Sequence, residues 1–225
     1  MTIKHYPDMV QGSGDWLSCR MGLLTASTMK LILTPTLKIA ANDKERAHVN
    51  EIAAQRISGF IEDGWSGDNF DRGHSEEIEA RELYQKHYAP VDGMGFITND
   101  EWGFTIGFSP DGLVGTDGFI ETKSRIQKHQ VQTIVDRAMP DDFVLQVQSG
   151  LLVSGRKWCD FISYCDGLPM FTVRVFPDAK IQEAIVAAAT EFERRVTEKV
   201  NLYIEALKSG ARLIPTKRIP RGEMF

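Results

Sequence analysis

Apolar positions in the N-terminal part of the chain recur at helical spacing. Residues 15–21 suit a short helix, and Thr25, Ala26 and Ser27 supply N-cap hydroxyls for a second one through Met29, Leu31, Ile32 and Leu33. Asn42, with Glu45 three residues on, resembles a capping box. Behind it Val49, Ile52, Ala53, Ile57 and Phe60 keep the helical period. The stretch 61–71, with Gly64, Gly67, Asp68 and Asn69, predicts a loop, and 73–88 a helix with Glu77, Ala80, Arg81 and Tyr84 along adjoining faces. The period then shortens. Segments 94–98, 104–108 and 118–123 are β-rich and separated by Gly, Asp and Asn, as in a meander. Helices over 125–138 and 142–153, broken at Met139-Pro140, precede a strand pair over 158–165 and 170–176. A long helix over 178–209 follows. The order predicts an α/β sandwich, a central mixed β-sheet flanked by helices.

Composition narrows this picture without changing it. With 225 residues, 42% hydrophobic and 25% charged, the chain can bury one core. It shows no repeat, low-complexity segment or linker, so residues 1–225 read as a single domain, with a core over about 16–176 and a C-terminal helix and basic tail over 178–225. No apolar run approaches the roughly 20 residues of a membrane span, and the first residues lack the layout of a secretory signal. A soluble, intracellular protein is expected. Cys19, Cys159 and Cys165 have no metal-finger spacing and read as reduced structural thiols. The formal net charge of −5 argues mildly against nucleic-acid binding. A carboxylate cluster neutralised by bound cations would soften that objection.

The chemistry concentrates in Ser109-Pro110-Asp111-Gly112 followed by Glu121-Thr122-Lys123. Residues two apart on a strand project from one face, so Glu121 and Lys123 point together while Ile120 and Thr122 face away. A hairpin through Gly115-Thr116-Asp117-Gly118 would bring Asp111, at the end of the preceding strand, alongside them. Two carboxylates and an ammonium would then converge on a point suited to hard cations such as Mg²⁺ or Mn²⁺. There Lys123 would orient or deprotonate a water, or balance charge. Either half alone reads better as an ordinary Pro-Asp-Gly turn or a surface Glu–Lys pair; the two together, ten residues apart on paired strands, favour the site.

On these residues the chain resembles the PD-(D/E)XK nucleases, and within them the phage lambda exonuclease-like branch, the YqaJ-type viral recombinases. The likeness continues outside the core motif. Trp16, Arg20, Gly22 and Thr25-Ala26-Ser27 resemble the branch's N-terminal block, Gly73 with Glu77 its acidic helix, and Gln146-Val147-Gln148 its glutamine-bearing helix. One departure stands out: Phe143 occupies a place where related nucleases often carry Tyr, which keeps packing or stacking but loses the hydroxyl.

The resemblance implies a Mg²⁺-dependent 5′→3′ exonuclease that digests one strand of linear double-stranded DNA from its end. Its products would be 5′-mononucleotides and a 3′ overhang for recombination by strand annealing. Metal ligands carry over to Glu77, Asp111, Glu121 and the carbonyl of Thr122, holding two Mg²⁺ ions, with Mn²⁺ as a substitute. Lys123 takes the place of the catalytic lysine, and Gln146 that of the glutamine holding the nucleophile region. Arg20, Thr25 and Ser27 have physical sense as a terminal-phosphate pocket, since a guanidinium, hydroxyls and a helix start suit that anion. A capped helix beside a surface arginine is their plainer reading. Phe70 and the Gly64-Trp65 loop read as a strand-separating wedge or, equally, as packing aromatics. The implied partners are duplex DNA ends, a single-strand annealing protein and two further copies in a ring-shaped homotrimer, with no membrane. The implied location is the cytoplasm of a bacterial host, the chain being phage or prophage encoded. The rivals are a PD-(D/E)XK endonuclease or nickase, and a non-catalytic DNA-binding module.

Overall fold

The computed structural model describes residues 2–62 and 68–218, and for residues 68–74 the backbone alone. The Gly64-Trp65 loop and the side chains of Phe70 and His74 lie outside the described residues. Eight strands and seven helices are described: β1 (Ile3–Tyr6), α1 (Gly14–Arg20), β2 (Leu24–Thr25), α2 (Met29–Ile32), α3 (Asp43–Ser58), α4 (Asp68–His87), β3 (Phe96–Asn99), β4 (Ile106–Phe108), β5 (Gly112–Val114), β6 (Gly118–Ser124), α5 (Gln127–Asp136), α6 (Val144–Ser154), β7 (Trp158–Tyr164), β8 (Phe171–Val175) and α7 (Ala179–Lys208).

Local signals set most helix ends. Asn42 Oδ1 accepts the Glu45 N–H at 3.0 Å and starts α3 as expected, but the reciprocal half of the box does not form. The Glu45 carboxylate instead meets Arg195 of α7 at 2.9 Å, because its position in the first turn faces the helix packed alongside. Gly59 ends α3 in the left-handed conformation at φ 62°. Thr25 caps a 3₁₀ turn over Ala26–Thr28 rather than an α-helix, and α2 is a single turn beyond it. The helix carrying Glu77 begins at Asp68 rather than 73, so residues 68–71 are helical rather than loop.

The α/β architecture with mixed sheet and flanking helices stands. Its strands divide into two four-stranded sheets, ordered β1-β3-β4-β2 and β5-β6-β7-β8. In the second, β6 pairs parallel with β7 from Gly118↔Trp158 to Ser124↔Tyr164, while β5 and β8 pair antiparallel at the edges. The expected hairpin forms, but its first arm is the short β5 and not the 104–108 strand; that segment contributes β4 to the other sheet. Asp111 therefore opens an arm instead of closing one.

The β6–β7 pair is covered on both faces. Phe119, Cys159 and Phe161 face α6 and α7, whose Leu145, Val147, Leu151, Ile185, Ala188, Ala189 and Phe192 complete the larger core. Ile120, Ile162 and Tyr164 face α4 through Ala80 and Tyr84. Among the described residues no helix is long and apolar enough to cross a membrane.

Gly150 lets α6 lie close to the sheets: a Cβ there would stand 2.7 Å from the Phe108 ring and 3.0 Å from the Phe119 ring. Both rings are fully buried, so neither can retreat cheaply. Gly150→Ala should gain about 1 kcal/mol of helix propensity and lose about 1–3 kcal/mol to overpacking. A net fall in the urea midpoint is expected; an unchanged or higher midpoint would show that α6 has room to move.

Candidate active site

β5 stops at Gly112, opposite Ile120, so the edge of β6 beyond that point is released from its neighbour. Asp111 sits at that break, and its Oδ2 accepts the Thr122 N–H at 2.5 Å. The carboxylate thus takes the place of a missing strand partner. On the face turned toward α6, Glu121 Oε1 accepts from Lys123 Nζ at 2.7 Å and from Gln146 Nε2 at 2.5 Å. The other carboxylate oxygen, Oε2, is buried and has no hydrogen-bond partner. The structure therefore brings Asp111, Glu121, Lys123 and Gln146 together. Glu77, on α4, lies near enough for its charge to act on both Asp111 and Lys123. Among the described residues no group of three Asp, Glu, His or Cys side chains stands at metal-coordinating spacing.

The electrostatics are those of crowded like charges. Loss of solvent pushes the Asp111 carboxyl well above the ordinary carboxylate range, and the charges of Glu121 and Glu77 push it further. Lys123 and the Thr122 N–H act in the opposite direction without prevailing. Burial presses the Lys123 ammonium downward, yet Glu121, Asp111 and Glu77 together hold its pKa above the usual value. Lys123 is thus a charged donor to Glu121 in this arrangement.

A second cluster adjoins the first through Ser109, two residues before Asp111. The Arg20 guanidinium lies 4.1 Å from the centre of the Trp16 ring, donates to Ser109 Oγ at 3.3 Å and makes a long contact to Thr25 Oγ1 at 3.5 Å. Trp16 Nε1 donates to the same Ser109 hydroxyl at 2.9 Å, and Thr25 Oγ1 lies 3.2 Å from Ser27 Oγ. Desolvation pushes the Arg20 pKa down to about 10, with no acid to raise it.

This arrangement has counterparts. The family described as the YqaJ-like viral recombinase domain matches residues 15–157, more than half of the chain and all four sequence blocks. The chain belongs to that family. An alkaline exonuclease (LHK-Exo) from Laribacter hongkongensis shares 27% identity and a TM-score of 0.77, covering 87% of this chain and 99% of that one. The same exonuclease in complex with dAMP gives 29% identity, a TM-score of 0.76 and the same coverage. A phage-related exonuclease from Haemophilus somnus 129PT, at 14% identity and a TM-score of 0.54, covers 80% of this chain and 96% of its own and shares the fold. Among curated proteins, none matches.

Within this YqaJ-like domain, sequence reasoning missed two side chains that the fold places at the site. Ser109 lay inside the quoted motif, but its role as the joint between Arg20 and Asp111 depends on a 93-residue separation from Trp16 that no local pattern reveals. Arg125, just past Lys123, lies 5.0 Å from the Phe143 ring centre. The same ring lies 5.5 Å from Lys123 Nζ and stacks on Phe161 at 5.4 Å, so the Phe143 departure from tyrosine does preserve packing. Neither residue carried a motif signal of its own.

The raised Asp111 value has a measurable consequence. The folded protein keeps this proton longer than the unfolded chain, so stability falls as pH rises from about 4 toward the raised value and the loss is complete above it. In metal-free buffer Asp111→Asn should therefore raise Tm at pH 8, by about 2–4 °C per kcal/mol of repulsion removed. The gain should shrink toward pH 4, where the wild-type carboxyl is protonated in both states. A gap that stays constant with pH would mean that Asp111 carries no such strain.

Proposed function

We propose that this YqaJ-like domain is a divalent-cation-dependent 5′→3′ exonuclease that removes 5′-mononucleotides from one strand at the end of linear duplex DNA and leaves a 3′ overhang. Family membership and the likeness to alkaline exonucleases support a nuclease, and the relative solved with dAMP fits mononucleotide release. The observation that carries the reading is Glu121: one oxygen is fixed by Lys123 and Gln146, and the other is buried without a donor beside further acids. A buried anionic oxygen with no partner costs free energy that a hard cation would recover.

The donor set fits such a cation. Glu121, Asp111 and Glu77, with the Thr122 carbonyl, would hold Mg²⁺, two ions in this reading and Mn²⁺ as a substitute. When bound, the cation supplies phosphodiester polarisation and a more acidic water. Lys123 keeps its proton on Nζ while the acids remain charged, and stands ready to offset charge building on the phosphate. Gln146 fixes the Glu121 carboxylate and so the direction of its free oxygen. Arg20, Thr25 and Ser27 would receive the terminal 5′-phosphate next to the site, with Ser109 linking the two clusters. The same reading extends to a ring-shaped homotrimer around DNA, to a single-strand annealing protein that takes the overhang, and to work in the cytoplasm of a bacterial host.

Lys123→Ala should lower mononucleotide release from linear duplex by about 10²–10³-fold while DNA binding persists; near-normal release would mean that the centre is misassigned. Wild type should leave covalently closed circles intact and lose activity in EDTA, whereas cutting of circles would make it an endonuclease. Arg20→Ala should erase the preference for 5′-phosphorylated over 5′-hydroxyl ends. An equal loss on both ends would remove the pocket from the scheme.

A further inference from the structure

Arg125 is the cation near the centre that the scheme so far leaves unused. It follows the last residue of β6, and its backbone N–H donates to Tyr164 O at 2.7 Å, which ties it to the end of β7. The next turn begins α5, which buried Gln130 anchors through Ser163 O at 3.0 Å and Pro169 O at 2.7 Å. The side chain therefore projects from a strand–helix junction held on both sides.

Among the described residues the guanidinium makes no ion pair. Its Nε is buried without a hydrogen-bond partner. Desolvation weakens its charged form, and Asp142 is the acid that acts against this. Lys123 shares the Phe143 ring with Arg125 but is compensated by Glu121 at 2.7 Å. Two cations on one aromatic ring repel each other, and the ring's own attraction, about 0.5–2 kcal/mol, does not neutralise either. An anion reaching the guanidinium would offset the excess positive charge that the ring leaves.

We infer that Arg125 binds the non-bridging oxygens of a DNA backbone phosphate next to the scissile one, as a substrate-positioning contact. The planar fork of a guanidinium suits a phosphodiester. Its attachment one residue beyond the end of β6 keeps a fixed offset from Lys123. The inference rests on the nuclease reading above for the identity of the anion. The phosphate would be held in the ground state and the transition state alike, so the contact acts mainly through substrate affinity.

The test uses the full chain, a short 5′-phosphorylated duplex and the variants Arg125→Gln and Arg125→Lys. In metal-free buffer, Arg125→Gln should bind the duplex about tenfold more weakly, the scale of one charge-assisted hydrogen bond. The slope of log affinity against log salt should fall by about 0.7–0.9, one phosphate's worth. With Mg²⁺ present, KM should rise while kcat changes far less. A single neutral methylphosphonate, moved along the cleaved strand, should weaken wild type most at one position, and Arg125→Gln should be indifferent there. Arg125→Lys should recover the salt slope but only part of the affinity. Should Arg125→Gln fail to fold, a reduced methylphosphonate effect in Arg125→Lys at that same position decides the matter. Unchanged affinity and salt slope in Arg125→Gln, or equal methylphosphonate effects in wild type and variants, would overturn the inference and leave the nuclease reading standing. Absence of nucleotide release from wild type, with the Arg125 effects on binding intact, would instead sink the nuclease reading alone.

Discussion

The structure is organised around negative charge gathered where the sheet offers it little relief. At 2.7 Å the attraction between Lys123 and Glu121 is on the order of 6 kcal/mol at an effective dielectric of about 20. Removing each ion from water costs several kcal/mol in the other direction. The pair roughly breaks even, and it still leaves Glu121 Oε2 without a donor and Asp111 under repulsion from two further acids. Such a group is poor as a device for stability. On the proposed function it holds something positive, and the surrounding fold is what prevents the acids from moving apart.

That restraint comes from both faces of the β6–β7 pair. On one face α6 is drawn close over Gly150 and brings Gln146 onto Glu121. On the other, α4 is pinned at three levels: Glu76 accepts from Ser124, Glu79 accepts from the Tyr164 hydroxyl at 2.7 Å, and the Tyr84 hydroxyl donates to Asp160 at 2.5 Å. Asp160 is itself gripped by Arg174 through two bonds of 2.8 Å, with the Arg174 guanidinium lying 3.7 Å from the centre of the Trp158 ring. Burial and the neighbouring Asp160 raise the Tyr84 pKa well above its ordinary value, so the phenol stays a donor. Glu77 belongs to this pinned helix, and its approach to Asp111 is a consequence of contacts made by its neighbours.

How much of this the sequence discloses depends on whether the signal is local. The Glu121-Thr122-Lys123 face follows from strand alternation alone, and the Asn42 cap from three residues. The helices over α3, α6 and α7 follow from the spacing of Val49, Ile52, Val147, Leu151, Ile185 and Phe192. β1 escapes because it is a largely exposed edge strand with no inward alternation, and β2 because two residues cannot show a period. β5 escapes because Gly112-Leu113-Val114 follows a Pro-Asp turn and is too short to announce an arm. The split into two sheets is likewise invisible, because partner choice between β4 and β6 is made by contacts distant in sequence. Glu45 shows the same limit at a single residue: its spacing suggests a capping box, while packing gives it to Arg195.

The formal charge is a coarse guide for a related reason. A net −5 counts every ion equally, yet many of the cations are already committed. Arg56 binds Glu193, Arg174 binds Asp160, Arg194 binds Glu191 and Glu198, and Arg195 binds Glu45 and Glu191. These pairs cancel at a distance and present little field to an approaching polyanion. Arg20 and Arg125 meet no carboxylate in these ion pairs; both are partly desolvated, and they lie near the two ends of the 109–125 segment that carries the acids. On the proposed function a phosphate chain would meet these two cations near a carboxylate centre that would hold divalent metal. The acidic total and the proposed affinity for nucleic acid do not conflict, because the first is a property of the composition and the second of which charges the fold leaves unpaired.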